Sequence, residues 1–328
     1  MAVANIETME LFDYDSMEPA EAALLKRIHA GELIEDMDEF TPRYRAVLEK
    51  TLTIAAQGEV TVLTWAYTGY DKCPDLGAKI AISASIQDEV GHAHQQGMLL
   101  ERFGVSMQEK AFNEDPMRYV SYPIMEFPVR SYIEFVVMQA LLDRSGRYTT
   151  WDIELHCSYA PYRRALKKVN FEEAFHFRHG AYWTEYYWNH SEETRQAVQE
   201  AIDWTFPWGY QWYGRPDSMK SMSDQLTYQV RKWTNDTMRN KWLQNACKWL
   251  SRLKGAKFPA HFDEESRQWV IDDDQPVPMI ADNDNHEWIR EQSDWNSLID
   301  YWKGGGPMRP SAYERLQREE WGSALWQT

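Results

Sequence analysis

Four successive segments with helical patterning constrain the fold of this chain more than any other feature. Each is about 25 to 30 residues long, whereas helices in globular proteins average roughly 11 to 12 residues. Thr41-Pro42 and Pro161 are favoured helix starts, and Gly104 is a favoured left-handed helix end. Long helices joined by short connections are typical of a bundle, so the sequence predicts an all-α four-helix bundle built from residues 42–69, 75–104, 130–157 and 161–188.

Further helical patterning follows the four long segments and then weakens. The sequence predicts additional C-terminal helices at 192–213 and 222–254, a short hairpin at 262–273, and a flexible linker at 302–310 that leads into a last short helix. We therefore divide the chain into an acidic N-terminal arm, a helical domain and a C-terminal extension, with bounds 1–40, 41–255 and 256–328.

The negative charge of the chain is concentrated at its two ends. The net charge is −16, but residues 41–271 contain 28 acidic and 28 basic residues. We expect the acidic ends to be solvated or to contact partners, while the neutral body remains able to bind a phosphate-bearing molecule. No basic stripe with interleaved aromatic residues is present, which argues against nucleic acid as a partner.

The sequence shows no pattern typical of a membrane-spanning helix or a signal peptide. No run of about 18 apolar residues occurs, which argues against a membrane-spanning helix. The acidic start "MAVANIETMELFDYDSMEP" lacks the basic and apolar regions of a signal peptide, so we expect a cytoplasmic protein.

Two Glu-x-x-His motifs lie in the middle of predicted long helices. They are Glu89-x-x-His92 and Glu173-x-x-His176, and the chain contains no other. With 29 Glu and 9 His, about one such motif is expected by chance, so a single copy is compatible with a surface ion pair. Residues three apart on a helix share a face, and each motif can therefore present a carboxylate and an imidazole to one ion.

Two further acids lie at matched distances from these motifs. Glu59 and Asp143 each precede the glutamate of the following motif by 30 residues, and both lie in apolar runs. Burying a carboxylate is costly unless it is paired or bound to metal. Two hairpins that each supply one acid and one Glu-x-x-His form the di-metal site of ferritin-like bundles, so we predict a ferritin-like four-helix bundle. Glu134 is the nearest alternative to Asp143, and a bulge in the third helix would shift the register.

Neighbouring polar residues complete the predicted centre. Asp88 and Glu172 either accept the second ring N–H of the other hairpin's histidine or are ordinary solvated acids. His94 and His179 fall outside the spacing and are interpreted as core or surface residues. A carboxylate-rich site with two imidazoles suits divalent iron or manganese. Open coordination positions on a pair of iron ions indicate dioxygen chemistry. Iron storage, radical generation and oxygenation all use such a cage.

Several motifs resemble one known family in chain order. The stretches "QDEVGHA", "SYAPYRRA", "NFEEAFHFRHG", "RKWTNDTMRNKW" and "FDEESRQWV" resemble the catalytic A subunits of ring-1,2-phenylacetyl-CoA epoxidases, the monooxygenases of phenylacetate catabolism. The resemblance covers about residues 40–275. Benzoyl-CoA epoxidase is the nearest neighbour in chemistry.

The resemblance implies a di-iron oxygenase that uses dioxygen and two electrons to epoxidise or hydroxylate the ring of an aromatic acyl-CoA. It implies as partners a homologous non-catalytic subunit together with a small bridging subunit, plus an NADPH-dependent iron–sulfur flavoprotein reductase; a homo-oligomer is also open. Alternatives are a ferritin-like iron-oxidising protein, a radical-generating protein and a non-catalytic scaffold subunit. The implied ligands of the two iron ions, and the catalytic carboxylates among them, are Glu59, Glu89, His92, Asp143, Glu173 and His176.

The resemblance also implies contacts to coenzyme A. Lys50, Arg118, Arg231 and Asn235 match family positions that bind the substrate, although surface Lys and Arg are often only solubilising groups. One departure lies beside the predicted cage, where Ser85 occupies a position at which the family has lysine. The identity of the aromatic substrate therefore stays open.

Overall fold

The structure of the chain is a computed structural model, and it describes residues 12–107, 109–110, 121–220, 223–289, 291 and 293–309. Short 3-10 turns occupy Tyr14–Ser16, Met37–Glu39, Pro123–Glu126 and Asp217–Met219. The longer elements are α1 (Pro19–His29), α2 (Pro42–Tyr70), α3 (Leu76–Arg102), α4 (Tyr132–Met138), a π-helical segment (Gln139–Asp143), α5 (Arg144–His156), α6 (Ala160–His190), α7 (Glu192–Gln211), α8 (Asp224–Thr227), α9 (Asn235–Leu250), β1 (Ala260–Asp263), β2 (Gln268–Ile271), β3 (Ile280–Asp282), β4 (Glu287–Ile289) and α10 (Trp295–Gly304).

The four predicted long helices form the bundle. Helix α2 packs along α3, the α4–α5 arm packs along α6, and α3 also contacts α6. The side chain of Thr41 accepts the Tyr44 N–H at the start of α2, and Asp75 caps α3 in the same way. Gly104 has the left-handed φ of 77° that the sequence predicts after α3. The prediction of an all-α, ferritin-like bundle is confirmed.

The third arm of the bundle contains the predicted irregularity. Between α4 and α5, residues Gln139–Asp143 form a π-helical turn whose five side chains are all buried. Such a turn accommodates one extra residue and rotates everything that follows it. Gly180 on α6 makes room for it, because a Cβ there would lie 2.5 Å from the backbone nitrogen of Ala140 and 2.6 Å from the carbonyl oxygen of Val136. The predicted bulge is confirmed.

The described part of the acidic N-terminal segment packs on the bundle. Leu24, Leu25 and Ile28 of α1 are buried in a core cluster that also contains Tyr44 of α2. Burial of each such aliphatic side chain contributes about 1.5–3 kcal/mol. Ile34 adds backbone hydrogen bonds, since its N–H donates to Ser158 at 2.8 Å and its carbonyl accepts from Ala160 at 3.0 Å.

The prediction of one helix over 222–254 is wrong, because residues 228–234 leave helical geometry between α8 and α9. Gln229 adopts a φ of 48°, and the backbone N–H groups of Lys232 and Trp233 donate to the buried carboxylate of Asp152 at 3.1 and 2.8 Å. These bonds replace the helical ones, and the Thr234 side chain then caps α9 by accepting from Thr237.

The C-terminal region contains more structure than the sequence predicts. The predicted hairpin is confirmed as β1–β2, whereas the β3–β4 hairpin and α10 were not predicted. Beyond α10 the chain is fixed to the bundle, because Glu126 accepts from Gly306 N at 2.6 Å and from the buried Arg309 side chain at 3.0 Å. The predicted last helix, after residue 310, lies outside the described residues. Over the ranges described, no helix is long and apolar enough to cross a membrane.

Candidate metal centre

The six predicted ligands come together in the middle of the bundle. Helix α3 supplies Glu89 and His92, and α6 supplies Glu173 and His176, all four of them buried. Helix α2 supplies Glu59, which is half-buried. The last residue of the π-helical segment is the sixth, the buried Asp143.

Two glutamates lie between the two histidines. The carboxylate of Glu89 is 3.2 Å from Nδ1 of His92 through one oxygen and 3.2 Å from Nδ1 of His176 through the other. Oε1 of Glu173 is 3.4 Å from His92 Nδ1 and 3.8 Å from His176 Nδ1. Both carboxylates therefore lie within reach of both imidazoles and would help to hold bound metal.

The ligand atoms form two overlapping groups, and within each group they all lie within 4.8 Å of one another. One group contains Glu59, Glu89, His92 and Glu173, and the other contains Asp143, Glu173 and His176. Glu173 belongs to both groups, while Glu59 and Asp143 each belong to one. Glu89 also belongs to one group only, so Glu173 is the residue that the two groups share. Two such groups could hold two metal ions.

Each histidine is oriented by a carboxylate from the opposite hairpin. Nε2 of His92 lies 3.2 Å from Glu172, and Nε2 of His176 lies 3.2 Å from Asp88. Lys168 in turn donates to Glu172 at 2.6 Å. A ligating histidine commonly donates its second N–H to a carboxylate, which fixes the ring and its tautomer. The contacts run across the two hairpins, as one of the two sequence interpretations expects.

The pKa values of the cage reflect burial and crowding of like charges. Burial and the neighbouring Glu89 hold the pKa of Glu59 well above its usual range, and burial and Glu173 do the same for Asp143. Burial also raises the pKa of Glu173 to about 7. Burial disfavours the charged forms of Glu89 and His92 as well, but the histidines lower the pKa of Glu89 to about 2, and the glutamates raise that of His92 to about 9.

Two buried atoms at the cage support a bound cation. Asp143 Oδ2 has no hydrogen-bond partner among the described residues, and His176 Nδ1 has only its ion-pair contacts with Glu89 and Glu173 there. Unpaired polar atoms are costly in a protein interior, and a shared ion would satisfy both. Four carboxylates with two imidazoles match the preferences of divalent iron or manganese, so the residues present fit the predicted di-metal centre.

Glu134, the alternative to Asp143, lies elsewhere. It accepts from Arg130 Nε at 2.6 Å and lies 3.3 Å from Nε2 of His286. The histidines excluded by spacing have different settings: His94 is exposed, whereas Nδ1 of His179 lies 2.7 Å from the side chain of Gln139.

Gln96 is a residue at the cage that sequence reasoning missed. It is buried on α3, one turn after His92, and its amide donates to Glu59 at 3.1 Å. The available signal was its place on the ligand-bearing face, seven residues after Glu89. Ser85, one turn before Glu89, is buried, and its hydroxyl donates to the Ala81 carbonyl at 3.3 Å.

Three of the four predicted substrate-binding residues lie in the described part of the chain, toward one end of the bundle. Lys50 is exposed and lines an open groove with Ala46, Glu49, Thr53 and Ile54. Arg231 and Asn235 are buried and hydrogen-bonded to each other at 3.0 Å. Gln225 links the groove at Lys50 to the Arg231–Asn235 pair, because its side chain donates to Thr51 and its backbone carbonyl accepts from Arg231 N. Arg118 lies outside the described residues.

Comparison with known proteins identifies the family of this chain. Residues 9–277 match the sequence profile of the family described as "Phenylacetic acid catabolic protein". The chain belongs to this family. A curated relative, the A subunit of 1,2-phenylacetyl-CoA epoxidase from Escherichia coli (strain K12), is 28% identical over 305 residues, which cover 90% of this chain and 96% of the relative. The resemblance identified from the motifs is thereby confirmed, and it supports an enzyme of the phenylacetate-catabolism oxygenase family.

Proposed function

We propose that this chain is the catalytic di-iron subunit of a cytoplasmic oxygenase that epoxidises or hydroxylates the ring of an aromatic acyl-CoA such as phenylacetyl-CoA. Its centre is proposed to bind two iron ions through Glu59, Glu89, His92, Asp143, Glu173 and His176. The observation that carries the proposal is the pair of ligand groups that share the buried Glu173 in a chain of this family.

The cage residues have separable roles in this proposal. Bound iron would supply the ability to activate dioxygen, which the side chains of a protein lack. The four carboxylates would balance the charge of two divalent ions, and Glu89 and Glu173, which lie near both imidazoles, would help to hold them. Asp88 and Glu172 keep the imidazoles oriented with Nδ1 toward the centre. Burial within the bundle limits access of bulk water.

Substrate and partners follow from the relative's name and from the predicted contacts. We propose that the coenzyme A moiety binds at the bundle end that contains Lys50, Arg231 and Asn235, with Lys50 paired to a phosphate. Electrons would come from a separate NADPH-dependent iron–sulfur flavoprotein reductase. The relative is named as one subunit of an epoxidase, which supports partner proteins here as well. We propose that these are a small bridging subunit together with a homologous non-catalytic subunit.

The test begins with metal. The purified chain is loaded anaerobically with Fe(II), desalted and analysed for iron, with an expected content of about two ions per chain. A Glu173→Ala variant is expected to lose most of this iron, because Glu173 belongs to both ligand groups. Glu200→Ala, at an exposed glutamate of α7, is the matched control and is expected to retain it.

The second stage tests the reaction. Partner proteins, reductase and NADPH are added, and a panel of aromatic acyl-CoA thioesters is incubated under oxygen and analysed by mass spectrometry for products that gain one oxygen atom. Lys50→Ala is expected to raise KM for the thioester with little change in kcat. Iron binding without an oxygenated product from any thioester would refute the epoxidase proposal and leave the metal centre standing.

A further inference from the structure

The two halves of the cage differ at one matched position. One turn after its histidine, four residues along the helix, α3 has Gln96 and α6 has Gly180. Both positions are buried and both face the interior of the bundle. The pseudo-symmetry of the ligands is therefore broken just beyond them.

On the α3 side, the amide of Gln96 holds the terminal carboxylate. Gln96 is 1% exposed, and its Nε2 donates to Oε1 of Glu59 at 3.1 Å. When Glu59 binds a cation it is ionised and can only accept hydrogen bonds, so the amide must present its NH2 group. Of the two Glu59 oxygens, Oε1 is thereby engaged, and Oε2 remains available to an ion.

On the α6 side, the terminal carboxylate is not held in this way. Gly180 has no side chain, and backbone atoms of the α4 and π-helical region fill the space where one would lie, at 2.5 Å from an ideal Cβ. Oδ2 of Asp143 has no hydrogen-bond partner among the described residues. The buried amide of Gln139, four residues before Asp143, contacts His179 instead.

We propose that Gln96 is a positioning residue that makes the two metal positions unequal. The position at Glu59 is the tighter and more rigid one, and the position at Asp143 is the weaker one, at which carboxylate coordination can change. This inference rests on the metal centre of the proposed function and adds a difference between its two halves that the ligand residues alone do not define.

The test uses Co(II) as a spectroscopic probe. Full-length protein is freed of metal with a chelator, and Co(II) is added anaerobically while visible absorption and bound metal are measured. The wild-type chain is expected to bind two ions in two resolved steps. Gln96→Leu is expected to weaken the tighter step about 10- to 100-fold, the usual effect of removing a group that orients a metal ligand, and to change the spectrum of that step only.

Gln139→Leu is the matched control, because it removes another buried amide one turn from a terminal carboxylate. It is expected to leave the tighter step unchanged. Gln96→Met, which keeps the length of the side chain and removes the amide, provides a second variant should Gln96→Leu fail to fold; circular dichroism and Tm identify that case.

The outcomes separate this inference from the proposed function. Selective loss of the tighter step supports the role of Gln96. Equal weakening of both steps, or no change in either, overturns it while the metal centre stands. A wild-type chain that binds fewer than two ions refutes the metal centre itself, and the inference with it.

Discussion

Metal binding to this cage is expected to release protons, because the pKa values of five of its six ligands are raised. Metal ligands must be neutral imidazoles and ionised carboxylates. Without metal at pH 7, the raised pKa values keep both histidines protonated, at about 9 for His92 and well above the ordinary value for His176. Burial and neighbouring carboxylates also hold the pKa values of Glu59 and Asp143 well above their usual range, which favours their protonated forms.

The protons on these groups, with about half a proton on Glu173, must leave when two divalent ions bind. The pKa of Glu173 near 7 leaves it about half ionised, and Glu89, with a pKa near 2, contributes none. The two histidines alone supply about two protons, so we expect release of at least about two protons per two ions at pH 7. The departing protons offset part of the four incoming positive charges.

Isothermal titration in buffers of different ionisation enthalpy measures this number directly. The observed enthalpy is plotted against the buffer enthalpy, and the slope gives the protons released. Asp143→Asn is expected to release fewer protons, because the raised pKa of Asp143 favours its protonated form in the metal-free chain, whereas Glu200→Gln on the surface is expected to match the wild-type chain. Release of fewer than two protons per two ions would refute the proposed charge balance of the cage.

Three further predictions concern stability. The folded-state pKa of His92 lies near 9, above its unfolded value of about 6.5, so its contribution to folding stability is complete below pH 6.5 and is lost as pH rises through 9. Tm of the metal-free chain should therefore fall between these pH values, and Tm of the metal-loaded chain should not. Gly180→Ala should cost about 1–3 kcal/mol in urea unfolding by overpacking the π-helical segment, whereas Gly146→Ala, which meets nothing within 4 Å, should be neutral or stabilising; equal losses would contradict this. Arg309→Met should cost about 3–5 kcal/mol by breaking the buried ion pair between Arg309 and Glu126, and adding Glu126→Leu should recover part of that loss in a double-mutant cycle.

The sequence predicts the bundle and its cage well because both depend on short-range periodicity. Glu89 and His92 lie on the same face of α3 because a helix has 3.6 residues per turn. Asp75, at the predicted start of α3, is its N-cap residue. Burial of a carboxylate in an apolar run, as at Glu59, requires a compensating group and so indicates one in advance. These signals lie within one helix or are repeated at equal spacing in the next.

Features that depend on distant partners were not predictable in the same way. Residues 228–234 have helical patterning but bend because Asp152, about 80 residues earlier, accepts two of their N–H groups. The segment around Gly306 has the composition of a linker, yet the buried carboxylate of Glu126 binds it across 180 residues. In both cases a buried carboxylate accepts stronger hydrogen bonds than the nearby backbone carbonyls would. The hydrophobic periodicity of the segment does not reveal that distant partner.

The π-helical segment shows how a prediction from spacing and an irregular backbone fit together. A regular helix over the third arm would keep one register throughout and would turn Asp143 away from the face that α4 presents to α6. The extra residue of the π turn shifts that register by about 100°, and Asp143 is the last residue of the turn. The equal spacing of 30 residues in the two hairpins therefore does not reflect equal geometry. Gly180 permits the turn to approach α6, and the same glycine leaves that half of the cage without a counterpart to Gln96. One small residue thus both admits the proposed ligand Asp143 and leaves it without an amide donor at the position that Gln96 occupies in the other half, which accounts for the proposed inequality between the two metal positions.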